Sequence, residues 1–212
     1  MSDLDYDRRR YLRMHRDKIK PIKEEARRIS QSYHDSCEYK SDIDNYIGRR
    51  KVRRNPLSPY IRPDNLLKTD IYRLSCDINY KGLDKLVECA VLIRDKGFVH
   101  RPRNPNAIDW TLRLVNGPWP REHEKKGGIQ IFDKTKLTRF TIELKFAFKH
   151  NICPDFVVMF VDYMGGYEII SARELDDGHD FSDNEWIKRI QRSYKLSDQN
   201  VPLCEDDEDD FL

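Results

Sequence analysis

The chain has 212 residues, 36% of them charged and only 38% hydrophobic, so a modest core lies under an ion-crowded surface. No run approaches the roughly 18 apolar residues that a membrane span needs, and the opening Met-Ser-Asp-Leu-Asp-Tyr-Asp lacks the basic and apolar regions of a signal peptide. A soluble, cytoplasmic protein with no membrane partner is expected.

Residues 5–33 are compatible with helix, with Pro21 as a break or as the first turn of a second helix. Apolar residues are sparse there, so this arm depends on packing against the rest of the chain or on a ligand. Arg8, Arg9, Arg10 and Arg13 open a basic stretch that continues through 18–28 and recurs in Arg49, Arg50, Lys51, Arg53 and Arg54, dense enough to attract a polyanion. DNA is the expected partner of these residues. Residues 41–63 read as a loop-rich basic segment punctuated by Gly48, Pro56, Pro59 and Pro63. The resulting division is a basic, helical and loop-rich arm over 1–63, an α+β domain over 64–203, and an acidic disordered tail over 204–212.

Within the domain, residues 81–96 read as a helix, with Leu83, Leu86, Val87, Ala90 and Val91 as its apolar stripe and Gly97 as its stop. Strand patterns follow at 98–100, 108–115, 129–132, 139–148, 156–162 and 167–171, most of them separated by Gly- or Pro-containing turns. A final helix is expected after Ser182, whose spacing to Glu185 is that of a capping box. This order predicts an α+β fold: a mixed, largely antiparallel sheet flanked by helices. Five scattered cysteines without a Cys-x-x-Cys pair argue against a disulfide framework or a zinc ribbon.

The run Phe140-Thr-Ile-Glu-Leu-Lys-Phe-Ala-Phe148 sets Glu143 and Lys145 inside an alternating apolar pattern. On a strand the two charges share one face and must meet a metal ion, a phosphate or each other. Together with residues 81–98 and 155–175, the run resembles the PD-(D/E)xK superfamily of restriction-endonuclease-like nucleases. Residues 186–203 are also similar to the tails of some type II restriction enzymes. The resemblance implies a metal-dependent DNA endonuclease of restriction, phage or mobile-element type, using Mg²⁺ or Mn²⁺, and it leaves a homodimer open.

In such a site two carboxylates hold the metal and a lysine acts on the attacking water or the developing charge. Glu143 then becomes a metal ligand and Lys145 the catalytic lysine. Asp109 and Asp133 are the candidates for the second metal carboxylate, with Asp109 favoured because Asp133 begins a turn. Glu88 is a third carboxylate candidate, although it falls on the polar side of its helix. One departure from the family pattern is the short link 149–154, which cannot hold the usual crossover helix. His123, His150 and His179 lack metal-ligand or His-Asn-His spacing and read as surface or loop residues.

A second, non-enzymatic reading comes from the end of the chain. Residues 205–210, Glu-Asp-Asp-Glu-Asp-Asp, carry −6 of a net +2, which leaves +8 on residues 1–204. With Phe211 and Leu212 behind them they resemble the acidic tails of single-stranded DNA-binding proteins. The alternative is thus a nucleic-acid-binding accessory protein whose tail contacts a protein partner.

Overall fold

The computed structural model describes residues 3–49, 62–95, 105–117 and 131–172. Among these residues the regular elements are all helical: α1 (Asp3–Met14), α2 (Arg16–Arg49), α3 (Pro63–Tyr80), α4 (Asp84–Arg94), α5 (Ala107–Asn116), α6 (Lys134–Lys149), a 3₁₀ turn (Pro154–Phe156), α7 (Val157–Tyr163) and α8 (Gly166–Ala172). The expected α+β fold with its restriction-endonuclease-like sheet is therefore corrected to a packing of helices. Residues 108–115 lie in α5, 139–148 in α6, 156–162 in the 3₁₀ turn and α7, and 167–171 in α8. Ile131 and Phe132 lead into α6 without strand structure. The strand at 98–100, the helix after Ser182 and the acidic tail lie outside the described residues.

Each correction has a local cause. In α6 the buried residues include Phe140, Glu143, Leu144 and Ala147, at i, i+3, i+4 and i+7. That is a helical stripe with a carboxylate at one core position, so apolarity alone shows a false period of two. Helix α5 is buried nearly all round, from Ala107 to Leu112 without a gap, and an all-buried helix has no periodic signature. Its start is marked instead by a capping box. Asn106 Oδ1 accepts from the N–H groups of Ile108 (3.1 Å) and Asp109 (3.3 Å), and Asp109 Oδ2 accepts from Asn106 N–H (2.9 Å). In α7 the five consecutive residues Val157 to Val161 are buried. Gly165 and Gly166, at φ 86° and 74°, adopt the left-handed conformation that lets α8 turn away from it.

The N-terminal helices break at His15, while Pro21 is carried inside α2. Helix α2 continues to Arg49, so residues 41–49, expected as loop, are helical. Ile19, Ile22, Ala26 and Ile29 of α2 enter the same core as the rest of the molecule. This is how an arm poor in apolar residues is held: α1 packs on α4, and α2 packs on α3 and α5.

Helix α3 lies at the centre, touching α2, α5, α6 and α7. Leu67, Ile71, Leu74 and Ile78 give it a stripe at i, i+4, i+7 and i+11, and Pro63 sits at its first turn, where a missing N–H costs no hydrogen bond. The Tyr72 hydroxyl donates to Ile152 O at 2.9 Å, tying α3 to the chain beyond α6. Helix α4 ends the turn that follows α3, where Gly82 at φ 62° allows Leu83 N–H to reach back to Ile78 O at 2.9 Å.

Candidate functional site

Glu143 and Lys145 are two residues apart on α6, about 200° around a helix, and so face different neighbours. The shared face expected of a strand does not exist. Glu143 is completely buried and meets two cations. Arg139, one turn earlier on α6, donates from Nε to Glu143 Oε1 at 3.1 Å. Lys68 of α3, also buried, brings Nζ to 2.6 Å from Glu143 Oε2, a charge contact without an aligned hydrogen bond. The Lys68 ammonium also stands 5.0 Å from the centre of the Phe140 ring, where the ring quadrupole attracts it.

These groups line a cleft of about 490 Å³ between α2, α3, α6 and the start of α8. A second cluster forms its wall: the Tyr33 hydroxyl donates to Asp64 Oδ1 at 3.0 Å, and Lys136 Nζ contacts both the hydroxyl and that carboxylate. Burial is the main reason the Tyr33 phenol is pushed far above its ordinary pKa, with Cys37 and the Asp64 charge adding to it. Lys40, Arg62, Lys68, Lys136 and Arg139 line the cleft against Asp64, Glu143 and Asp162, so its lining carries two positive charges in excess. Of these charged residues, Glu143 alone is among the site residues expected from the sequence. The signal for Lys68 was its place inside the stripe of α3, and that for Arg139 was its i, i+4 spacing to Glu143.

Lys145 meets Asp109 instead, with Nζ donating to Oδ2 at 3.0 Å. Asp109 is 4% exposed, and the same oxygen accepts the Asn106 N–H of the capping box. The structure therefore joins two of the expected site residues, Asp109 and Lys145, as a link between α5 and α6. Asp133 caps α6, its exposed side chain accepting from Lys136 N–H at 2.7 Å. Glu88 is half-buried on α4 beside Leu4 and Arg8 of α1. His150 ends α6 with its ring 4.6 Å from that of Phe146.

Among the described residues no three His, Cys, Asp or Glu side chains come together as a metal site. Mg²⁺ and Mn²⁺ call for several oxygen donors, whereas the groups facing Glu143 are an ammonium and a guanidinium. Asp109 and Asp133, the other expected metal ligands, are engaged in helix caps.

Of the basic residues expected at a nucleic-acid interface, Arg9, Arg10 and Arg13 are exposed on α1. Arg8 is half-buried and pairs with Asp5 at 3.3 Å. Arg50, Lys51, Arg53, Arg54 and the side chain of Arg49 lie outside the described residues. On α2, Arg16, Lys20, Lys23 and Arg27 recur at i, i+4, i+7 and i+11 and form one stripe beside the buried Ile19–Ala26–Ile29 face. Lys23 is its one half-buried member; burial, and then the like charge of Arg94, holds its pKa below the ordinary lysine value. No helix among the described residues is long and apolar enough to cross a membrane. Comparison with protein-family models, curated proteins and solved structures finds no match to this chain.

Proposed function

We propose that this protein binds nucleic acid through the outward basic face of α1 and α2, as a binding protein and not as a phosphodiesterase. The observation that carries the reading is the charge of residues 8–28: ten Lys and Arg against three Asp and Glu, a net +7. Arg9, Arg10, Arg13, Arg16 and Arg27 are exposed and form no ion pair with another described residue. The buried Ile19, Ile22, Ala26 and Ile29 of α2, with the half-buried Tyr11 and Leu12 of α1, seat these helices on the core and leave an array of cations facing solvent. Such an array neutralises successive phosphates and releases their counterions, giving binding with little sequence preference. The buried carboxylates, by contrast, are occupied by Lys68, Arg139 and Lys145, the reverse of what a hydrolytic metal centre needs.

Fluorescence anisotropy of labelled duplex and single-stranded DNA, repeated across a salt series, tests the proposal. Binding should weaken steeply with salt. Replacing Arg9, Arg10, Arg13 and Arg16 by Gln should lower the log–log salt slope by about 0.9 per lost phosphate contact on duplex DNA. An unchanged slope in that variant would remove α1 and α2 from the interface. Mg²⁺-dependent plasmid cleavage that disappears in both Glu143→Gln and Lys145→Ala would overturn the non-catalytic reading.

A further inference from the structure

The cleft between α2, α3 and α6 carries an arrangement that the outer basic face does not. Arg139 uses only Nε to reach Glu143; its two terminal nitrogens donate to no described residue, and its side chain is 54% exposed. Glu143 is completely buried and holds the Nε side of the guanidinium, which leaves the two terminal nitrogens of this cleft-lining residue for a ligand. Lys68 offsets the carboxylate charge from the core side, so the three groups together keep one net positive charge. Arg62, exposed at the start of α3 and without an ion pair to a described residue, adds another.

We propose that this cleft binds a phosphate monoester dianion, with Arg139 as the bidentate donor and Glu143 as its positioning residue. A fixed, planar fork matches two phosphate oxygens, which a mobile ammonium cannot do. A cleft of about 490 Å³ lies within the range of small-molecule sites. A free mononucleotide and the phosphorylated end of a DNA strand present the same dianion. The site is separate from the α1–α2 face and stands whether or not that face binds nucleic acid.

Isothermal titration of the full chain decides it, using inorganic phosphate, a nucleoside monophosphate and the matching nucleoside. The monophosphate should saturate and the nucleoside should not. Arg139→Lys keeps the charge but loses the fork, and should weaken binding about tenfold, the equivalent of one charge-assisted hydrogen bond. Glu143→Gln raises the positive charge of the cleft, so simple attraction predicts tighter binding, while a positioning role predicts weaker binding. Arg139→Lys keeps a cation beside the buried Glu143, so it remains decisive even if Glu143→Gln does not fold. A 5′-phosphorylated oligonucleotide binding more tightly than its 5′-hydroxyl twin, with the difference lost in Arg139→Lys, would identify the strand end; equal binding of the two would identify the free small molecule. No saturation by either phosphate or the monophosphate, or unchanged affinity in Arg139→Lys and Arg139→Ala, would overturn the proposal.

Discussion

Two sets of charges on this chain differ in what surrounds them. On α1 and α2, Arg9, Arg10, Arg13 and Arg16 stand in solvent, where their charges do little for or against folding. Between α3, α5 and α6, the pairs Lys68–Glu143 and Lys145–Asp109 are wholly or largely out of water. There each charge has been stripped of hydration, and the partner offsets that loss only while both are present. Exposed charges of one sign remain available to an external anion; buried opposite charges are consumed in orienting helices. The lesson is that density of charge along the sequence marks the first set, while the second can be recognised only from the partner across the core.

The largest test of this contrast is at Glu143. Glu143→Gln leaves Lys68 buried beside a neutral group and should lower the unfolding free energy by about 3–5 kcal/mol in urea titration. Combining Lys68→Met with Glu143→Leu should recover most of that loss, to within about 1 kcal/mol of the parent. A double variant as unstable as the single one would place the cost in packing and not in charge.

Asp109→Ala comes next. It removes the acceptor of the Asn106 N–H and the partner of Lys145 together, and a loss of about 2 kcal/mol is expected. Lys145→Met, at a position 29% exposed, should cost clearly less. Equal losses would mean that the pair, not the cap, holds α5.

The arginines of the outer face should behave in the opposite way. Arg9→Gln, Arg10→Gln and Arg13→Gln should each change stability by less than about 0.5 kcal/mol while weakening nucleic-acid binding at low salt. A large fall in thermal midpoint would show that α1 is held by its charges.

Lys23 stands between the two sets, and its effect is the smallest. Its folded pKa is lowered, so between that value and the ordinary 10.5 the unfolded chain binds more protons, and stability rises with pH across that window. Lys23→Gln should therefore raise the thermal midpoint slightly at pH 7, and the gain should shrink as the pH approaches 10.5. A loss at pH 7 would mean that the aliphatic stem of Lys23 outweighs its charge.

Some of this architecture can be read directly from the residues. The stripe from Leu86 to Val91 predicts α4, and the pattern over 5–33 predicts the helices of the arm, because a half-buried helix writes its period into the sequence. Helix α3 is equally legible in Leu67, Ile71, Leu74 and Ile78, but nothing in that stripe tells that the Lys68 beside it is buried against a carboxylate. Helices α5 and α7 were not readable in this way, since burial on all sides removes the contrast on which periodicity depends.

Sequence alone determined the charge of the arm, the absence of a membrane-length apolar run among its residues, and the presence of two unlike charges, Glu143 and Lys145, among apolar neighbours. Tertiary structure decided what those charges meet. Over 140–148 the choice between strand and helix turned on whether Glu143 could occupy a core position. A carboxylate can do so only where cations converge on it, and Lys68 comes from another helix, 75 positions earlier in the chain. Local patterning cannot contain that contact, because it is a property of packing α3 against α6 and not of either helix by itself.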